Sequence, residues 1–150
     1  MTDEKVYPVD RALSSSAHID RDEYRKLYKF SIEHRDTFWA EQAEKFLSWD
    51  QPWETVCSFD FNQAEISWFD GGRLNASYNC IDRHLTDNAD KIAILWEGDD
   101  PAEDRQLTYK ELHEEVCRFA NAMKARGVSK GDRVSIYMPM VPEAAVAMLA

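Results

Sequence analysis

Long apolar runs are missing from this chain. Its longest apolar runs, Ile92–Trp96 and Ala144–Ala150, are five and seven residues long, far short of the roughly 20 that cross a bilayer. The opening residues MTDEKVYPVD hold no hydrophobic segment of the secretory type. Cationic residues are scarce: 18 Lys and Arg stand against 28 Asp and Glu, a net charge of -10. That balance excludes the clustered basic surface of a nucleic-acid binder and opposes docking on anionic lipid. Glycine is scarce too, with five in all, and neither G-x-x-x-x-G-K-[ST] nor G-x-G-x-x-G occurs, so the usual backbone cradles for phosphate are absent. Gly71-Gly72 is too short to wrap a pyrophosphate and reads as a turn. Three separated cysteines, Cys57, Cys80 and Cys117, lack CxxC spacing. They read as reduced, buried small hydrophobes of a cytoplasmic protein.

Catalytic patterns are equally thin. His113-Glu114-Glu115 does not have the HExxH order that sets two imidazoles one helical turn apart, and is expected on a helix surface. His84 closes a helix, where hydrogen bonding to a carbonyl is the common role. Ser14–Ser16 and His18 lack the strand–turn–helix context of a nucleophile elbow. Gly98–Asp104 is acidic but lacks calcium-loop spacing, and is expected as a solvated loop. Arg83, Arg118 and Arg133 are scattered and expected in ion pairs. Trp39, Trp49 and Trp53 could form an aromatic cage, but helical spacing favours packing.

What remains describes a globular domain: 44% hydrophobic and 31% charged residues suffice for one core. Residues 1–18 show little periodicity and are expected as a flexible tail. Asp20 with Glu23 is a capping box, and Ile19 with Tyr24 a staple. They predict a helix over Arg21–His34 with Tyr24, Leu27, Tyr28 and Ile32 buried. A second helix from about Asp36 carries Trp39, Ala43, Phe46 and Leu47 on one face. It should stop by Pro52. Thr55–Asp60 and Ile66–Phe69 read as strands. Asn75 should cap a helix with Tyr78, Ile81 and Leu85 on one face, fading near Asp87.

Beyond that helix, Ile92–Glu97 and Arg105–Thr108 read as strands. Thr108 with Glu111, and Leu107 with Leu112, open a helix whose stripe is Leu112, Val116, Phe119, Ala120 and Met123. Gly127 should stop it. A turn at Ser129–Asp132, a buried strand at Val134–Met138 and a helix from Pro142 complete the pattern. The strand–helix rhythm from Ile92 onward suggests a parallel sheet covered on both faces. The last residues, VPEAAVAMLA, read as an apolar helix cut mid-pattern, and hence as a truncated α/β unit.

Three stretches together carry a resemblance. WFDGGRLNASYNCIDRH at Trp68–His84, LTYKELHEEVCRFANAMKARG at Leu107–Gly127 and KGDRVSIYMPMVPEAAVAMLA at Lys130–Ala150 resemble the N-terminal part of AMP-forming acetyl-CoA synthetases of the adenylate-forming superfamily. TFWAEQAEKFLSW at Thr37–Trp49 fits more weakly. The LTYKEL and KGDRV parts are shared across the superfamily, whereas YNCIDRH and MPMVPEAAVAMLA point to the acetyl-CoA branch.

The resemblance implies an α/β fold: N-terminal helices plus the first strand–helix units of the large domain, truncated. It implies a flexible tail at 1–18, a helical and wrapping segment at 19–90, and the start of the AMP-binding domain at 91–150. It further implies ATP, CoA and Mg2+ as the whole enzyme's partners in making acetyl-CoA from acetate. The family's phosphate loop, ribose-binding aspartate and catalytic lysine match nothing here. No catalytic, cofactor-binding or metal residue is therefore assigned, Tyr137 and Met138 included, and this chain alone should bind no cofactor. Two alternatives share the pattern: a propionyl- or acetoacetyl-CoA synthetase segment, or a stand-alone non-catalytic interaction module.

Overall fold

The computed structural model describes residues 7–100 and 102–150. Residues 1–6 of the expected tail and Pro101 of the acidic loop lie outside them. Helices α1 (Arg11–Ser16), α2 (Arg21–Glu33) and α3 (Arg35–Phe46) come first, followed by strands β1 (Thr55–Asp60) and β2 (Glu65–Asp70). Helix α4 (Ala76–Cys80), a 3-10 turn (Asp82–His84) and α5 (Leu85–Asn88) lead to β3 (Ile92–Glu97) and β4 (Asp104–Thr108). The long α6 (Tyr109–Ala125) and α7 (Pro142–Leu149) complete the order. These elements fall into two compact units. One runs up to Leu47 and includes Pro52–Gly72; the other joins Ser48–Gln51 to Arg73–Ala150.

The first unit contains α1 to α3 and the antiparallel hairpin β1–β2, with Cys57 opposite Trp68. The Asp20 carboxylate caps α2, accepting from the Asp22 and Glu23 amides at 2.9 and 2.8 Å. The expected buried stripe of α2 is not buried: Tyr24, Tyr28 and Ile32 are 60%, 59% and 67% exposed. Periodicity marks an apolar face, but burial needs a partner surface, and of the apolar residues of α2 Leu27 and Phe30 are half covered. Helix α1, with Asp10 as its cap, lies inside the stretch read as tail. Its hydroxyls Ser15 and Ser16 donate to the carbonyls of Ala12 and Leu13, satisfying themselves locally.

Ring pairs run through this unit. Phe38 meets Phe30 and Trp39 edge-on at 6.0 and 5.2 Å, and Trp39 meets Trp68 at 6.2 Å. Trp53 meets Phe69 at 5.1 Å. These distances and tilts are those at which ring quadrupoles attract. The Arg35 guanidinium lies over the rings of Phe59 and Trp68 at 5.2 and 5.9 Å, a cation on two negative faces.

The second unit has an aliphatic core of Ile81, Leu112, Val116 and Val146, with Ala93, Ile94 and Leu149 against it. The Thr108–Glu111 capping box is complete: the Thr108 amide donates to Glu111 Oε2 at 2.8 Å, and the Glu111 amide to Thr108 Oγ1 at 3.2 Å. Leu107 and Leu112 beside it are both buried. Helix α6 closes at Gly127 with φ 87. There the amides of Gly127 and Val128 donate to the carbonyls of Lys124 and Met123, the two bonds of a left-handed helix stop. Asp132 closes the expected turn, its carboxylate accepting from the Ser129 amide at 2.7 Å.

Three expectations change here. The helix from Asn75 is broken at Ile81, whose φ -127 and ψ -66 leave helical space, so α4, the 3-10 turn and α5 are separate short pieces. The strands pair as antiparallel hairpins, β1 with β2 and β3 with β4, rather than in a parallel sheet. Val134–Met138 forms no strand among the described residues, and Val134, Ile136, Tyr137 and Met138 are exposed. A strand exists only with a ladder partner, and a βαβ reading of the rhythm presupposed one. The α/β class with N-terminal helices and strand–helix units holds.

Candidate functional site

The Asn75–His84 segment is organised around one buried polar side chain. Asn75 caps α4, its carbonyl oxygen accepting from the Tyr78 amide at 3.1 Å. One turn on, Asn79 is buried and clasps the backbone of Ser48: its Oδ1 accepts from the Ser48 amide at 2.7 Å and its Nδ2 donates to the Ser48 carbonyl at 2.9 Å. Nδ2 also donates to the Asn75 carbonyl, and Arg83 donates to Oδ1 at 3.0 Å. An amide side chain mimics a peptide group, so it can hold an incoming chain as a strand neighbour would. This residue was not singled out from sequence. Asn four residues after an Asn cap, in a run of short helices, is the only local trace. Arg83, one of the three scattered arginines, is spent on this clasp and on His84, 3.3 Å away.

A second polar cluster ties β4, α6 and α7. Arg105 reaches Glu115 at 2.6 Å and also pairs with Glu143, and Arg118 lies 4.0 Å from Glu115. The Trp96 indole N–H donates to the Met140 carbonyl at 2.6 Å. His113-Glu114-Glu115 is thus not wholly a surface run, since Glu115 is half-buried against Arg105. An open groove of about 460 Å³ lies alongside, lined by Glu115, Arg118, Phe119, Met138, Glu143 and Val146. Glu115 and Glu143 of its lining both pair with Arg105, and Arg118 lies beside Glu115.

On the other face of α6, His113 Nε2 stands 3.5 Å from Cys117 Sγ and 3.4 Å from Asp82 Oδ1. The cysteines do not all follow the buried reading: Cys57 is buried, whereas Cys80 and Cys117 are exposed. His84 packs on the Tyr109 ring at 5.4 Å.

In the first unit, Trp39, Gln42, Ala43, Phe46, Leu47 and Phe69 line an apolar groove of about 280 Å³. Of the three tryptophans weighed as a cage, two pack on neighbouring rings, Trp39 on Trp68 and Trp53 on Phe69. Two charged groups are perturbed. Hydrogen bonding to Asp36 raises Arg35 further above its ordinary value, so it stays a cation over its two rings. The Thr108 amide and hydroxyl hold the Glu111 carboxyl below the ordinary carboxylate range. Both shifts serve structure. Among the described residues no three metal-ligating side chains converge, and no helix is long and apolar enough to cross a membrane.

Known proteins share this pattern along the whole chain. Residues 24–80 match the family model described as acetyl-coenzyme A synthetase N-terminus, and residues 81–150 match that of the AMP-binding enzymes. An acetyl-coenzyme A synthetase of Saccharophagus degradans is 57% identical over all 150 residues, which cover 23% of that relative. One of Magnetococcus marinus is 59% identical, again over 100% of the chain and 23% of the relative. The structure of acetoacetyl-CoA synthetase from Streptomyces lividans superposes with a TM-score of 0.73 at 30% identity, over 93% of this chain and 22% of that one. The chain thus spans about a quarter of the length of these relatives. Two adjoining family models and this level of identity leave one assignment: the chain belongs to the AMP-forming acetyl-CoA synthetase family, as its N-terminal segment.

Proposed function

We propose that this chain is the N-terminal scaffold of an acetate–CoA ligase. In the reaction, an acetate oxygen attacks the α-phosphorus of ATP, and pyrophosphate leaves. The CoA sulfur then attacks the acetyl-adenylate carbonyl, and AMP leaves. Two such displacements ask a protein chiefly for positioning and for neutralising charge on phosphate. ATP, CoA and Mg2+ are thus the partners of the whole enzyme, in the cytoplasm. This chain's own residues act as framework: Asn79 clasps Ser48, and Arg105 gathers β4, α6 and α7. The proposed division is a tail at 1–18, a helical and wrapping segment at 19–90 and the opening of the AMP-binding domain at 91–150. No catalytic residue is proposed within it.

The observation that carries acetate over its neighbours is identity. Synthetases named for acetate stand at 57–59% over the full chain, whereas the acetoacetyl enzyme with the shared fold stands at 30%. The test is pyrophosphate exchange into ATP by the full-length protein, with acetate, propionate and acetoacetate in parallel. Acetate should give the highest kcat/KM. Preference for either larger acid would replace the acetate reading. Acetate-dependent exchange by the isolated 150 residues would move the active site into this segment.

A further inference from the structure

Cys117 and His113 sit one turn apart on the exposed side of α6, and Asp82 reaches them from the 3-10 turn. Sγ and Oδ1 both approach the same ring nitrogen, His113 Nε2, at 3.5 and 3.4 Å. That sharing decides what the group can do. A carboxylate on Nδ1 would orient the ring for relay, as in a hydrolase triad. Here it faces the nitrogen that would receive the thiol proton. With the ring proton on Nδ1, the Nε2 lone pair can accept from the Cys117 S–H. Once the proton has moved, Nε2–H lies between a thiolate and the Asp82 carboxylate, and the imidazolium is held by both. Cys80, also exposed, serves as an internal reference.

We propose that Cys117 is a site of reversible thiol modification by low-molecular-weight disulfides, with His113 as its base and Asp82 stabilising the protonated ring. The Cys117 sulfur attacks one sulfur of a disulfide R–S–S–R. The Cys117–S–S–R bond forms as the original S–S bond breaks. The departing thiolate takes the proton from His113 and leaves as RSH. One disulfide is exchanged for another, so no further oxidant is required, and thiol in excess reverses the step. The ligand class is a small, flexible disulfide, because the sulfur lies on an open helix face.

The test uses the full-length protein, native and folded, with glutathione disulfide as the probe. Peptide mass spectrometry follows the mixed disulfide at Cys117 and at Cys80 over time. Cys117 should react about tenfold faster than Cys80, since an unassisted thiol is only in small part thiolate near neutral pH. In His113→Asn the ratio should fall toward one, and in Asp82→Asn to an intermediate value. Iodoacetamide, which needs the thiolate but forms no disulfide, should rank the two sulfurs in the same order. Far-UV circular dichroism shows whether each variant keeps its helices. A ratio of one in the unaltered protein, no reaction at Cys117, or a ratio untouched by His113→Asn in a folded variant would each overturn the proposal.

Discussion

The two units keep their shape by different means. The unit built on α2, α3 and the β1–β2 hairpin relies on half-covered rings meeting edge to edge, and its buried hydrophobic residues are Ala43 and Cys57. The unit built on α4 to α7 and the β3–β4 hairpin buries branched aliphatic chains, with Ile81 wholly enclosed. Aliphatic burial is stabilised in proportion to area removed from water. Ring pairs add smaller, directional terms of about 0.5–1.5 kcal/mol each. A segment rich in aromatics need not be rich in core. Helix α2 accordingly carries an apolar face, Tyr24, Tyr28 and Ile32, that its own unit leaves bare.

Ile81→Ala tests this contrast most sharply. Loss of a fully enclosed side chain should cost about 2–5 kcal/mol, read as a lower denaturant midpoint of the second unit by hydrogen exchange at α6 amides. A cost under 1 kcal/mol would mean the aliphatic core is not what holds that unit. Asn79→Ala comes next. It strands the amide and carbonyl of Ser48 and should cost about 1–3 kcal/mol, with faster exchange of the Ser48 amide as its signature.

Trp39→Leu keeps apolar bulk in the first unit but removes two ring pairs, and should cost about 1–2 kcal/mol. A loss as large as that of Ile81→Ala would erase the distinction between the units. Thr108→Ala removes a helix cap and should cost about 1 kcal/mol, seen as reduced helicity of α6 on heating.

The smallest effect concerns acid. Glu111 is held below its ordinary value in the folded chain, chiefly by the Thr108 amide. Its stabilisation is therefore complete above the unfolded carboxylate value and is lost as pH falls through the lower folded one. Glu111→Gln should flatten the acid limb of the midpoint-against-pH curve. An unchanged limb would show that the capping box carries no charge-dependent share.

Local signals were legible wherever the interacting groups are neighbours in the chain. The caps Asp20, Asn75 and Thr108, the stop at Gly127 and Pro142 at the head of α7 all act within one turn of their own helix, so spacing alone reveals them. Thr55–Asp60 was legible as a strand because its ladder partner follows directly in the chain. Family membership was legible too, because blocks such as YNCIDRH and MPMVPEAAVAMLA are linear patterns. The contacts that set the candidate site were not. Asn79 with Ser48, Arg105 with Glu143, and Asp82 with His113 join residues 31, 38 and 31 positions apart.

By itself, then, the sequence determined helices α2, α3, α6 and α7, the α/β class and the family, since these depend on interactions within a few residues or on ordered motifs. Tertiary structure alone decided that the strands pair as antiparallel hairpins, that the α2 stripe lies open, that Val134–Met138 is not a strand, and that Cys117 has an imidazole beside it. Each of these depends on which distant surface arrives. Periodicity can mark a face as apolar or a stretch as extended, but it carries no record of the partner that would bury the one or pair with the other.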